Sequence, residues 1–188
     1  MTDHELALAL KDKSALIVHF SHHSLMRSGR PLYPDDLKRV FARHHEFPLS
    51  CSAVSPGHRM SPVGSVGVIF APTAGSVLSV SNDDSGSLTW KNGSEGSAGI
   101  GLSPEAFSDS FNVVSGRYNE WRVQGAPILG IFVADPNNIQ VKRLQEVQGV
   151  DAIYTVVGLD HISLDEVAAT FPGQPVFTMC ESGPVRLR

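Results

Sequence analysis

Hydrophobic residues along this chain recur with two periods, and the change from one to the other marks out its elements. Leu6 to Leu10 follow Thr2 and Glu5, a hydroxyl with an acid three residues later, which predicts a short first helix opened by a capping box. Residues 15–20 form an apolar run with β-branched members and read as a strand, with Ile17, His19 and Ser21 on one face and Leu16, Val18 and Phe20 on the other. A second helix is expected from Pro34, with Asp35 and Asp36 at its start, Arg43, His44 and His45 at its end, and Leu37, Val40 and Phe41 as its buried stripe. Extended segments follow over 47–54, 63–70 and 76–81, the last two separated by the turn Pro72-Thr73-Ala74-Gly75.

Residues 82–101 obey neither period. They are rich in Gly, Ser and Asp, hold Trp90, and make a loop of a length usually found in lids and binding loops. Ser103-Pro104-Glu105 then supplies a cap, a first-turn proline and an early acid for another helix. In the strand that follows, alternation points Trp121 and Val123 into the core and Glu120 and Arg122 out of it. Further strands are expected at 128–134, near 139–141 and at 152–157. Ser163 with Glu166 makes a second capping box for a helix ending near Phe171, and 176–179 is the last strand. The sum is an α+β protein, a mixed and mostly antiparallel sheet core with short flanking helices in a single domain over 1–188. Residues 150–188 are the segment that would form an appended βαβ-like lobe.

Composition narrows the classes. A chain of 188 residues with 41% hydrophobic and 18% charged residues is globular and long enough to bury a core without staples. The formal net charge of −4 gives no general attraction for nucleic acid or an anionic membrane. Arg27, Arg30, Lys38, Arg39, Arg43 and Arg59 nevertheless concentrate early in the chain, where an anionic ligand would find them. Two cysteines, Cys51 and Cys180, make neither a disulfide framework nor a four-ligand zinc site. With no basic-then-apolar leader and no apolar run of spanning length, the expectation is a cytoplasmic protein without a membrane partner.

Several chemistries lack their motifs: there is no phosphate loop, no G-x-G-x-x-G opening a helix, no G-x-S-x-G elbow and no H-E-x-x-H. His22-His23 and His44-His45 are adjacent pairs, whose members point apart in a strand or helix and chelate poorly. Three segments remain. Leu16 to His22 puts His19 on an early strand, Leu49-Ser50-Cys51-Ser52 carries two hydroxyls on an extended segment, and Tyr118-Asn119-Glu120-Trp121-Arg122-Val123 carries an acid. A carboxylate on a rigid strand beside an aromatic suits a site where one acid must be positioned. The same alternation also describes a half-buried surface strand with a solvated Glu.

In their order, these three segments resemble the ADP-ribosyltransferase superfamily, whose members carry an Arg or His on the first strand, a Ser-x-Ser or Tyr element in the middle and a Glu opening a late strand. The apolar run Ile128-Leu129-Gly130-Ile131-Phe132-Val133, close behind Glu120, is similar to the strand that often follows that Glu. The resemblance implies a split-sheet core and NAD as substrate. His19 would bind the nicotinamide-ribose part, Ser50 and Ser52 would brace the site, and Glu120 would stabilise the oxocarbenium-like transition state as nicotinamide leaves. Trp90 and Tyr118 would be stacking partners for a flat ring. The acceptor, protein or nucleic acid, is left open. Tyr118 stands where arginine-modifying members have Glu or Gln, and Phe20-Ser21 replaces the usual Gly-Thr after the first-strand His.

Two other classes compete. Cys51 could be the nucleophile of a hydrolase, with His161 beside Asp160 as its base and His58 and Arg59 supplying basic surroundings. Alternatively, the protein is a non-enzymatic ligand- or protein-binding domain whose 82–101 loop meets its partner. The first enzyme reading needs His19, Ser50 and Glu120 on one cleft, and the second needs Cys51 within reach of a histidine.

Overall fold

The computed structural model describes residues 1–21, 37–58, 64–83, 100–112, 119–146 and 154–188. Three of its described α-helices begin where the sequence places their caps, and the expected start of the other, Pro34 to Asp36, lies outside the described residues. In α1 (Asp3–Asp12) the Glu5 amide donates to Thr2 Oγ1 at 3.2 Å, while the Thr2 amide donates to Glu5 Oε2 at 2.7 Å. Of α2 the structure describes Leu37–Arg43, with Leu37 and Val40 buried. Ser103 caps α3 (Pro104–Asp109), and Ser163 and Glu166 close a second capping box on α4 (Leu164–Thr170).

Ten strands are described: β1 (Leu16–Ser21), β2 (Leu49–Val54), β3 (Val66–Phe70), β4 (Val77–Ser81), β5 (Glu120–Val123), β6 (Ile128–Val133), β7 (Ile139–Glu146), β8 (Tyr154–Ile162), β9 (Val176–Cys180) and β10 (Gly183–Arg186). Eight form one sheet in the order β10-β9-β6-β3-β1-β2-β5-β4, antiparallel throughout except for the β6–β9 pair, and β7 and β8 form a separate antiparallel ribbon. The α+β class and the mostly antiparallel sheet are therefore as expected. Residues after 150, read from the sequence as an appended lobe, are divided between the ribbon strand β8, helix α4, and β9 and β10 at the edge of the principal sheet.

The connections require this sheet to fold over. Four antiparallel steps separate β3 from β4, and four separate β5 from β6, so the members of each pair run in the same direction. Parallel strands in a flat sheet need a crossover of a dozen or more residues, yet β5 reaches β6 through residues 124–127 alone. The short link works only if the end of β5 turns a corner directly into β6. The eight strands form one continuous sheet that folds over, with β10-β9-β6-β3-β1 as one half and β2-β5-β4 as the other, joined at the seam where β1 and β2 pair through three residues. At the corner, the Ala71 amide donates to the Pro127 carbonyl at 2.8 Å and the Gln124 amide to the Ser76 carbonyl at 2.9 Å, fastening the two linkers to one another. The expected turn at 72–75 is thus no hairpin. It leads through a single 3-10 turn (Ala74–Ser76) to a strand at the far edge.

Both halves send side chains into one core. Ile17, Val66, Val68, Phe70, Ile131 and Val133 from the first half join Leu49, Cys51, Val80, Trp121 and Val123 from the second. A second, smaller cluster lies on the other face of the sheet, built from Val18, Phe20, Ile69 and Phe132 with Val54 at the end of β2.

Candidate functional site

Glu120 opens β5, and both of its neighbours are fixed. Asn119, fully buried, uses every hydrogen-bonding group of its side-chain amide. Its Oδ1 accepts from the Ala53 amide at 2.7 Å, and its Nδ2 donates to the carbonyls of Ala53 at 3.2 Å and Ser110 at 2.9 Å. Its own carbonyl accepts from Ser52 Oγ at 3.0 Å. On the other side, Trp121 Nε1 donates to Ser110 Oγ at 3.2 Å, and that hydroxyl donates to the Phe107 carbonyl at 2.7 Å. Phe107 and Phe111 meet the indole edge-on, at 5.8 and 6.5 Å between ring centroids. The segment around α3 therefore braces both residues that flank the acid.

Strand pairing sets the faces. Ser50 pairs with Arg122, Cys51 with Trp121 and Leu49 with Val123, so Cys51 lies on the core face and Ser50, Ser52 and Glu120 on the opposite one. The expected alternation on β5 is correct, but its solvated-Glu reading is not: Glu120 is only 6% exposed. Alternation tells which way a side chain points, whereas what covers that side is tertiary. A carboxylate is costly to bury and is held in such a place by specific partners.

The structure brings His19 to the seam. The β1–β2 ladder runs through Leu16↔Val54, Ile17↔Ala53 and Val18↔Ser52 and stops there. At the next position the His19 ring takes over, with Nδ1 2.7 Å from the Ser50 carbonyl. That carbonyl can only accept, so Nδ1 carries the hydrogen. His19 is 6% exposed and Ser52 is buried, whereas Ser50 is exposed. β1, β2 and β5 are consecutive neighbours, so the three segments singled out in the sequence become three adjacent strands, but His19 lies on the core face with Ile17, paired with Val68, whereas Ser50, Ser52 and Glu120 share the other face. Trp90 and Tyr118 lie outside the described residues, as do Arg27, Arg30, Arg59 and the His22-His23 pair.

Cys51 is not placed as a nucleophile. Burial, and after it the nearby Glu120 carboxylate, push its thiol well above the ordinary cysteine range, so it stays protonated. His161 is exposed on the ribbon, opposite Gln140. His44 and His45 sit at the end of α2 as expected, His44 with Nδ1 3.2 Å from the Val40 carbonyl and its ring against Phe70. No group of three or more potential metal ligands occurs among the described residues.

Two features were not read from the sequence. The Asn119 clamp is one, although an asparagine next to a strand whose neighbours are apolar is unusual enough to be a signal. The other is a cavity of about 300 Å³ on the Phe20 side of the sheet, lined in part by Val54, His58, Phe132, Met179 and Glu181. His58 Nδ1 lies 3.1 Å from the Ala53 carbonyl, while its Nε2 is buried with no hydrogen-bond partner among the described residues. No described helix is long and apolar enough to cross a membrane. No protein-family model matches this chain, and no curated protein or solved structure is significantly similar to it.

Proposed function

We propose that this protein binds NAD and cleaves its nicotinamide–ribose bond, as an ADP-ribosyltransferase-like enzyme. The observation that carries the reading is the adjacency of β1, β2 and β5, which sets Ser50, Ser52 and Glu120 on one face of neighbouring strands, while His19, on the other face, is tied through its ring to the Ser50 carbonyl. Nothing in the one-dimensional order of these segments requires their strands to be neighbours.

In this reading the C–N bond to nicotinamide breaks with its electron pair leaving on the ring nitrogen. Positive charge develops at the anomeric carbon and is then quenched by an acceptor nucleophile or water. Glu120 supplies the fixed negative group beside that carbon and a hydrogen bond to the ribose. Its neighbours are clamped, so little reorganisation is needed when charge appears. His19 contacts the nicotinamide-ribose part. Ser52, whose hydroxyl is committed to the Asn119 carbonyl, braces the strand carrying the acid, while exposed Ser50 is the hydroxyl that can reach a ligand. Trp90 and Tyr118 remain the proposed stacking partners.

The test is NAD-induced thermal stabilisation together with nicotinamide release, on wild type and Glu120→Gln. At a hundredfold excess over its dissociation constant NAD should add about 2.7 kcal/mol, on the order of 5–10 °C for a chain of this size. Loss of the positioned carboxylate should slow release by about 10²–10³-fold. Absence of both stabilisation and release in the wild type would overturn the reading, as would undiminished release in the variant.

A further inference from the structure

The cavity on the Phe20 face has a floor and a rim of different chemistry. Phe20 on β1 and Phe132 on β6 are both paired, across one strand each, with Gly67 on β3. With no side chain between them, the two rings meet edge to face over the glycine, 5.6 Å between centroids. Met179 packs against the same cluster. A Cβ at Gly67 would come within 2.6 Å of Val18 Cγ1 and 2.7 Å of the His19 carbonyl oxygen, so the gap that lets the rings close is built into the backbone. The wall is the segment after β2, fastened where His58 Nδ1 donates to the Ala53 carbonyl.

The rim is acidic. Glu181, exposed between β9 and β10, is the one carboxylate of the described lining, which includes neither lysine nor arginine. Among the described residues, phosphates and carboxylates therefore find no lysine or arginine here. A cation finds both the negative field of aromatic rings and a carboxylate, while its apolar body can cover Phe132 and Met179. A volume of about 300 Å³ admits one or two rings.

We propose that this cavity is a binding site for a small organic cation with an aromatic body, its rings on the Phe20–Phe132 floor and its charged head toward Glu181. The site stands apart from the NAD reading, since its described lining offers a pyrophosphate no lysine or arginine.

The probe is 2-naphthylmethylamine, with 2-naphthoate as the anion of similar shape, titrated calorimetrically into the full chain. The amine should bind on the order of tenfold more tightly than the anion. Glu181→Gln, a surface change that leaves folding intact, should weaken the amine by about two- to fivefold, as for an exposed charge pair. Ala134→Trp, which fills the cavity from its wall, should abolish binding, and Glu120→Gln should leave it unchanged. Equal affinity for amine and anion would overturn the proposal. So would full binding by Ala134→Trp or by Glu181→Gln, or no binding of the amine at millimolar concentration.

Discussion

Asn119 treats Ala53 as a neighbouring strand would: its side-chain amide accepts from the Ala53 N–H and donates to the Ala53 C=O. The β2–β5 ladder is thereby continued one step past Glu120 by a side chain instead of a backbone. Replacing Asn119 with Leu removes all three amide hydrogen bonds and leaves the Ala53 N–H buried without its acceptor, a loss of roughly 3–5 kcal/mol. His58→Leu also removes a hydrogen bond to the Ala53 carbonyl, but that oxygen keeps Asn119 Nδ2, and the variant sheds a buried Nε2 without a described partner. It should change stability by less than about 1 kcal/mol. Urea denaturation of the two variants measures the contrast.

The two thiols should differ sharply in reactivity. Cys180 is exposed and Cys51 buried, and both burial and Glu120 favour the protonated form of Cys51. Native protein at pH 8 should titrate one thiol quickly with an aromatic disulfide reagent and the second only on unfolding. Rapid reaction of Cys51 in the native state would revive the cysteine-hydrolase reading.

Acid should loosen the first helix in a defined way. The hydrogen bonds to Glu5 from the Thr2 backbone first, and from its hydroxyl second, hold the Glu5 carboxyl below its ordinary value of 4.5. A depressed folded-state pKa means that the contribution is complete above the ordinary range and is lost as pH falls through the folded value. Amide protection at the start of α1 should therefore decline below about pH 4.5 in the wild type. In Glu5→Gln it should be lower at neutral pH and show no such decline, as followed by hydrogen exchange.

Gly67→Ala should be more damaging than an ordinary glycine replacement in a strand. The new methyl would meet Val18 and the His19 carbonyl at less than contact distance, in a place where backbone has to move. Overpacking of this kind costs about 1–3 kcal/mol. Because the displaced strand is β1, the variant should also shift the His19 imidazole resonances, which two-dimensional NMR would detect.

What could be read in advance follows from how local each signal is. Thr2 with Glu5 and Ser163 with Glu166 lie within one helical turn of each other, so their caps were legible. The parity of Trp121 and Val123 was legible for the same reason. The pairing of residues 49–51 with 121–123 was not, because nothing near Ser50 or Arg122 names its partner. The depth of Glu120 and the inertness of Cys51 were hidden likewise, since both depend on burial by residues distant in sequence. His19, Ser50, Ser52 and Glu120 stand out in the sequence by residue type, whereas nothing beside Asn119 shows that its amide reaches Ala53.

The folded-over sheet also sets an order of events. β1, β2 and β3 can assemble from a short stretch of chain, whereas β5 must return from some seventy residues downstream to close on β2. Non-local closures of this kind are slow steps in folding. The acid at the head of β5 is delivered by one of these late closures, and the Asn119 clamp forms in the same event. A chain stalled before it would hold His19 and Ser50 without Glu120, so the three segments come together only once β5 has closed on β2.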